Sequence, residues 1–290
     1  MARVTAPSSR LVFCEGDLDS VLLHQIIPTG KAEIKATGGK HEMRTFIEGH
    51  LFGYGTNQPV YLGFRDRDFD VEPPDTPQLI RLLPATKPIW MSYRACVESY
   101  FIDSQLLYKY WAESADGPKW GHGAPLAVEI IEEHILQAAR ELAEYQAIRW
   151  ALAKLKPSAR WPEVDTTWTE GSGDLPASLA FDACLNEARK LVGDFRSLVD
   201  EVSVAKLEQA AQHYRAQFNQ DEFYARKLFV VWYHGKDLLV HLSKRLTPNF
   251  SCRHYASWAA SHINVNDHPD LRQLAEMCAE SSVVETIGMR

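Results

Sequence analysis

Along the first hundred residues, short apolar runs alternate with stretches of helical periodicity. Apolar runs that end in turn residues predict strands at 11–13, 32–39, 59–64 and 78–84. The segments 19–27 and 40–53, which lie between these runs, carry the spacing of amphipathic helices. Strand–helix–strand alternation at this spacing is typical of an α/β domain with a mainly parallel sheet and flanking helices.

After residue 88 the pattern becomes helical. We predict helices at 95–113, at 125–156, twice between 176 and 219, and at 267–281, with a strand-like run at 227–234 that enters a further helix at Gly235-Lys236. In the long helix the apolar positions advance by three and four residues: Ile131, Ile135, Ala138, Leu142, Tyr145, Ile148 and Leu152. The predicted organisation is therefore a catalytic α/β domain at 1–105 and a mainly helical region at 106–290, which packs back on the first domain through Gly235-Lys236.

The composition is that of an ordinary globular chain, with 290 residues, 46% hydrophobic and 24% charged. A formal charge of −7 argues against a general nucleic-acid coat, although it leaves room for a local basic groove. No apolar run approaches the roughly 18 residues of a membrane span, and no signal-peptide core precedes the first strand. Five scattered cysteines without a CxxC pair indicate neither a zinc knuckle nor a disulfide framework, so we expect a cytoplasmic protein.

Acidic residues follow two of the predicted strands. Glu15 and Asp19 come after the first, and Asp66 and Asp68 come after the third. Ligands of open α/β sheets bind outside the carboxyl ends of the strands, and alternate residues of an extended chain point the same way. Crowded carboxylates repel one another unless a cation joins them, and oxygen ligands suit Mg²⁺ or Mn²⁺. The pattern predicts a metal site, while helix capping by these acids remains the simpler alternative.

Two further residues lie outside these clusters. On a continuous helix Glu98 would share an apolar face with Phe101 and Ile102, which favours either a metal-bound carboxylate or a buried pair with Arg94. Lys236 follows a glycine at a helix start, where it would suit a phosphate oxygen or simply be solvated.

The motifs "VFCEGDLDS" and "YLGFRDRDFD" together resemble the Toprim fold, the metal-dependent catalytic domain of topoisomerases, bacterial primases and OLD-type nucleases. The form with Glu15-Gly16 and Asp19 is closer to the OLD type. The segments "ACVESYFID" and "YHGKDLL" also resemble compact Toprim proteins of bacterial anti-phage defence, such as the effector of PARIS systems. The Toprim resemblance covers roughly residues 10–105.

This resemblance implies a Mg²⁺- or Mn²⁺-dependent nuclease. The implied metal ligands are Glu15, Asp19, Asp66, Asp68 and Glu98. Glu15, Asp66, Asp68 and Lys236 are the implied catalytic residues, with Lys236 also binding the substrate. The implied protein is a toxic effector of abortive infection that is held inactive by a separate ABC-type ATPase and acts as a homodimer. RNA, with transfer RNA in particular, is the favoured substrate class over DNA.

The sequence lacks motifs that are typical of several other protein families. The chain has no GxxxxGK[ST] motif, so it is not expected to hydrolyse ATP, and it lacks the zinc module of primases. Haloacid-dehalogenase-type phosphatases place a Thr or Val after their second Asp, whereas Phe69 stands here. A DNA endonuclease of the OLD type and a Toprim-fold binding subunit without catalysis remain as alternatives.

Overall fold

The computed structural model describes residues 10–55, 59–83, 87–115, 117, 121, 123–155, 164–169, 173–196, 202–247 and 250–279. Its strands are β1 (Arg10–Cys14), β2 (Ala32–Ala36), β3 (Tyr61–Arg65), β4 (Ile80–Arg81) and β5 (Ile89–Met91). Its α-helices are α1 (Asp17–Ile26), α2 (Met43–Phe52), α3 (Ser104–Ala115), α4 (Val128–Leu155), α5 (Phe181–Arg196), α6 (Val204–Phe218), α7 (Asp221–Ala225), α8 (Phe229–Trp232), α9 (Gly235–Leu246), α10 (Cys252–Ala260) and α11 (Pro269–Ala279). Short 3₁₀ turns occupy Val97–Phe101 and Val265–Asp267.

The five strands form one sheet in the order β2-β1-β3-β5-β4, and every pairing is parallel except that of β4 with β5. The predicted α/β class with a mainly parallel sheet is therefore confirmed. In β1 and β3 the last four residues are buried, as expected for strands that are covered on both faces. Because β1 and β3 are direct neighbours, their carboxyl ends lie side by side.

Helix α2 covers one face of this sheet. Phe13 of β1 and Ile89 of β5 form a buried cluster with Met43, Ile47 and Leu51, which recur at the spacing of one helix face. Burial of each of these side chains is worth roughly 1.5–3 kcal/mol. On the same face, alternate residues of β3 point towards α2, and Tyr61 packs against the cluster.

The chain forms two compact units that are discontinuous in sequence. The first contains residues 1–66, 74–93 and 257–290, and the second contains 67–73 and 94–256. The periodicity of the sequence predicted a single boundary, after residue 105, because periodicity alone does not show that the segment 67–73 after β3 packs with distant helices. The sheet belongs to the first unit, and the helices from α3 to α9 belong to the second.

Helix α4 is the central element of the second unit, where it contacts α3, α5, α6 and α9. An aromatic cluster surrounds it, with Trp150 packed edge-on against Trp232 and tilted against Tyr214. Trp111 and Tyr255 are 2% and 0% exposed, respectively, and belong to the core. None of the described helices is long and apolar enough to cross a membrane.

Two predicted elements were wrong. The helix expected at 95–113 is interrupted after the 3₁₀ turn Val97–Phe101, and α3 begins only at Ser104. The apolar run at 227–234 is not a strand, because it contains the short helix α8. Strand β5 was missed since its three residues are too few for any periodicity to register.

Candidate functional site

The first unit joins two of the strand-end acids. The Asp66 backbone N–H donates to Glu15 Oε1 at 3.1 Å. This contact follows from the parallel pairing of β1 with β3, which brings the residues after both strands to the same sheet edge. Asp66 is 7% exposed and Glu15 is half-buried, so both carboxylates are partly removed from water. The expected proximity is confirmed for this pair, whereas their role in binding metal stays a prediction.

Asp19 caps the helix that follows β1. Its Oδ2 accepts a hydrogen bond from the Gly16 backbone N–H at 3.0 Å, and the side chain is 7% exposed. A carboxylate here satisfies an amide at the helix start and interacts favourably with the helix dipole. The structure thus shows Asp19 in the helix-capping role that was the simpler alternative. The predicted role of Asp19 as a metal ligand stays a prediction.

The charges of these acids also affect the pKa of the neighbouring Cys14 thiol. Burial, reinforced by the nearby charges of Asp19 and Glu15, raises the pKa of the Cys14 thiol far above its ordinary value. Cys14 therefore stays protonated at neutral pH and offers no thiolate. The same negative field that disfavours a thiolate would attract a cation.

Asp68 lies beyond the extended part of the chain. Strand β3 ends at Arg65, and Asp68 has a left-handed backbone with φ of 51° while its N–H donates to the Ala95 carbonyl at 2.6 Å. The reasoning that Asp66 and Asp68 alternate along an extended strand was therefore wrong. Aspartate is one of the few residues that adopt this conformation at modest cost, which suits it to the turn.

The residue between the two acids explains why the chain turns here. Arg67 is fully buried in the second unit, where its guanidinium donates to the carbonyls of Val71 and Val231 at 2.7 and 2.6 Å. It also lies over the Trp150 ring at 5.4 Å. A buried cation is tolerated only when its donors are satisfied, so these carbonyls hold the segment 67–73 in the helical unit.

Asp68 faces a histidine that the sequence analysis did not single out. His234 Nε2 is 3.4 Å from Asp68 Oδ1, and the imidazole stacks on Phe69. The His234 side chain is 7% exposed, and its Nδ1 has no hydrogen-bond partner among the described residues. The feature of the sequence that could have identified His234 is its position directly before Gly235-Lys236.

A buried polar network orients this histidine. The His234 backbone N–H donates to Gln146 Oε1 at 3.2 Å, and Gln146 Nε2 donates to Asp237 Oδ2 at 2.7 Å. Arg149 forms an ion pair with Asp237 and lies over the Phe69 ring at 4.3 Å. These contacts run from α4 to the start of α9, so packing of the two helices sets the position of His234.

Glu98 pairs with Lys236. Their charged atoms are 3.7 Å apart, and the two side chains are 13% and 35% exposed, respectively. Arg94, the partner suggested as an alternative, instead donates to the Ser99 carbonyl and lies over Tyr100. The predicted helical face through Glu98 was wrong because this residue lies on a 3₁₀ turn.

Gly235 permits the close approach of α9 to the 3₁₀ turn Val97–Phe101, and this approach creates the pair of Glu98 with Lys236. A Cβ at Gly235 would lie 2.2 Å from the Ser99 backbone nitrogen, so no other residue fits without a backbone shift. The Gly235 N–H also donates to Cys96 Sγ at 3.2 Å. Direct contact between the 3₁₀ turn and the first turn of α9 therefore places Glu98 beside Lys236.

Glu72 anchors the other end of the segment 67–73. Its carboxylate accepts hydrogen bonds from Tyr214 Oη at 2.5 Å and from Lys154 Nζ at 2.7 Å. Burial opposes its ionisation, but these donors together hold the pKa of Glu72 below its ordinary value. The segment that carries Asp68 is thus tied at both ends to helices of the second unit.

The described residues of each unit were compared for groups that could share a metal ion. Within each unit, no three His, Cys, Asp or Glu side chains of the described residues lie close enough to share one ion. Of the predicted site residues, Glu15, Asp19 and Asp66 belong to the first unit, and Asp68, Glu98 and Lys236 belong to the second.

No protein-family model matches the chain, and no curated protein matches it either. The resemblance to Toprim proteins stays a prediction that rests on short motifs.

Substitution of Gly235 by alanine should destabilise the second unit by about 1–3 kcal/mol, because the added methyl group meets backbone rather than a flexible side chain. The matched control is Gly193→Ala in α5, where nothing lies within 4 Å of the added Cβ and alanine should be neutral or stabilising. Urea denaturation measures both. Equal stability of the two variants would contradict the close contact.

Replacement of Glu72 by glutamine should lower stability at pH 7 by less than about 1 kcal/mol, since the Lys154 pair is partly exposed. A carboxyl group with a lowered folded-state pKa stabilises above its unfolded pKa of about 4.3, and this contribution is lost as the pH falls through the folded pKa. The stabilities of wild type and Glu72→Gln should therefore converge as the pH falls below about 4.3 and through the lowered folded-state pKa of Glu72. A stability difference that stays constant as the pH falls would refute the ionised anchor.

Proposed function

We propose that this chain is a Mg²⁺- or Mn²⁺-dependent nuclease of the Toprim type that hydrolyses phosphodiester bonds, with RNA, and transfer RNA in particular, as the favoured substrate. The observation that carries the proposal is the hydrogen bond between the Asp66 amide and the Glu15 carboxylate at the ends of adjacent parallel strands. This is the sheet edge at which ligands of open α/β sheets bind.

The donor set fits a hard cation. Glu15 and Asp66 offer carboxylate oxygens in the first unit, and Asp68 and Glu98 offer them in the second. Asp66 and Asp68 are separated by one residue, so the covalent chain alone keeps their Cα atoms within about 7 Å.

When bound, the ion would supply an acidified water and offset charge on the phosphate. Glu15 would act as a ligand or as the base that takes a proton from the attacking water, with Oε1 oriented by the Asp66 amide. Lys236 would neutralise a non-bridging phosphate oxygen. Its ion pair with Glu98 is partly exposed, so exchange for a phosphate costs little.

The biological part of the proposal is a toxic effector of anti-phage defence. A free nuclease of this kind would be toxic, and the chain has no GxxxxGK[ST] motif of its own, which fits an effector that a separate ABC-type ATPase keeps silent until infection. The active form is proposed to be a homodimer. These points rest on the resemblance of the segments around Glu98 and Gly235.

Purified wild-type chain should cleave RNA in the presence of Mg²⁺ or Mn²⁺ and lose this activity in EDTA. Glu15→Gln and Asp66→Asn should each reduce the cleavage rate by about 100-fold or more, because each removes a charged ligand. The matched control is Asp17→Asn, which removes an exposed acid only two residues from Glu15. End-labelled transfer RNA, messenger RNA and plasmid DNA in parallel reactions measure both rate and preference.

Cleavage of DNA alone would replace the RNA assignment with the OLD-type alternative. If neither nucleic acid is cut, with or without the ATPase partner, the enzymatic proposal fails. Equal toxicity of wild type and Glu15→Gln in cells would favour a binding subunit without catalysis.

A further inference from the structure

Within the second unit, a buried histidine ring contacts a partly exposed acid. Nε2 of His234 lies 3.4 Å from Oδ1 of Asp68, and the histidine side chain is 7% exposed, whereas that of Asp68 is 28% exposed. Solvent therefore reaches the carboxylate but hardly reaches the ring beside it. A ring in this position can restrain the acid without blocking access to it.

The backbone that carries Asp68 is held on both sides. Arg67 is fully buried, and its guanidinium donates to the Val231 carbonyl at 2.6 Å. Phe69 is 5% exposed and packs edge-on against Trp150, with ring centroids 5.2 Å apart. Because both neighbours of Asp68 are buried in the second unit, the main freedom left to this residue is rotation of its side chain.

The same segment of the chain supports the histidine ring. The His234 imidazole lies nearly parallel to the Phe69 ring, with centroids 6.0 Å apart and 12° between the planes. The His234 backbone N–H donates to Gln146 Oε1 at 3.2 Å. The residue that follows Asp68 thus packs on the imidazole that contacts Asp68, so the acid and the histidine keep one relative position.

The surroundings of the two ring nitrogens indicate where the proton lies. Nδ1 of His234 is buried and has no hydrogen-bond partner among the described residues. A proton on Nδ1 would leave a buried donor unsatisfied and would turn the lone pair of Nε2 towards a carboxylate, which only accepts when it is ionised. A proton on Nε2 instead places an N–H donor against Asp68. The neutral ring with its proton on Nε2 is therefore the favoured form.

We propose that His234 is a positioning residue for the metal ion of the proposed nuclease, and that its Nε2–H holds the Asp68 carboxylate in one orientation for the cation. Carboxylates that bind metals in proteins are themselves hydrogen-bonded by such outer partners, and loss of a partner typically weakens metal affinity by about 10- to 100-fold. The separation of 3.4 Å is slightly longer than an ordinary hydrogen bond, and a small rotation of the Asp68 side chain closes the difference. The inference rests on the proposed function for the ion, but the contact itself is testable without metal.

Mn²⁺ binding followed by electron paramagnetic resonance tests the inference in two variants. His234→Phe keeps an aromatic ring against Phe69 but removes the N–H donor, so it should weaken Mn²⁺ binding by about 10-fold while the midpoint of urea denaturation changes little. His234→Gln keeps an N–H donor on a side chain of similar length and should restore most of the affinity. The matched control is His241→Phe, which removes a histidine of the same unit that contacts the carboxylate of Glu141 and should bind Mn²⁺ like wild type.

A double-mutant cycle separates the positioning of Asp68 from any general effect of the histidine substitution. Asp68→Ala should itself weaken Mn²⁺ binding. In that background His234→Phe should have no further effect, because the side chain that the histidine positions is missing. Additive losses from the two substitutions would overturn the inference.

Nitrogen-15 NMR of the histidine rings in EDTA tests the contact without metal. The His234 signals, identified by their loss in His234→Phe, should show the tautomer with its proton on Nε2. Asp68→Ala should shift the Nε2 resonance of His234 and leave that of His241 unchanged. A proton on Nδ1, or no response to Asp68→Ala, would contradict the proposed contact.

The outcomes separate this inference from the proposed function. If wild type and folded His234→Phe bind Mn²⁺ equally, or if His234→Gln binds as weakly as His234→Phe, the positioning role fails although the nuclease can stand. If Mn²⁺ affinity depends on His234 through Asp68 but no nucleic acid is cleaved, the positioning role stands and the nuclease fails. Absence of Mn²⁺ binding by the wild type overturns both.

Discussion

The hydrogen bond from the Asp66 amide to the Glu15 carboxylate is the contact on which the account of the site depends. It exists because β1 and β3 pair in parallel, so that the residues after each strand meet at one sheet edge although they are 51 positions apart in the sequence. A backbone donor fixes one carboxylate oxygen and thereby orients the side chain. An acid oriented in this way is better prepared to hold a cation or a proton than one that rotates in water.

In the second unit, a buried polar network orients the side chains. Buried ionic and amide groups link α4 to the start of α9, with Arg149, Asp237 and Gln146 leading to the His234 backbone. Buried ion pairs of this kind contribute little net stability, since the cost of desolvation offsets much of their attraction. We attribute to this network the orientation of His234 towards Asp68, while aromatic packing around Trp150 supplies the stability of the unit.

Sequence patterns were sufficient to predict those elements that are determined by residues close together in the sequence. Strands β1 and β3 were predicted because each is an apolar run, and the binding of ligands outside the carboxyl ends of an open sheet led us to expect Glu15 and Asp66 at one site. The patterns failed where contacts between residues distant in sequence determine the position of a segment. Arg67 pulls its segment into the helical unit by bonding to Val231, 164 residues away, and no periodicity encodes that contact. The contacts of His234 were hidden for the same reason, since its partners Asp68, Phe69 and Gln146 come from two segments that are distant in sequence.

Binding of Mn²⁺ followed by electron paramagnetic resonance tests the central claim most directly, because it asks whether the strand-end acids hold a cation before any substrate or partner is involved. The account predicts that wild type binds Mn²⁺ and that Glu15→Gln weakens this binding by about 10- to 100-fold. Wild type and Glu15→Gln with the same Mn²⁺ affinity, or no binding by either, would contradict it.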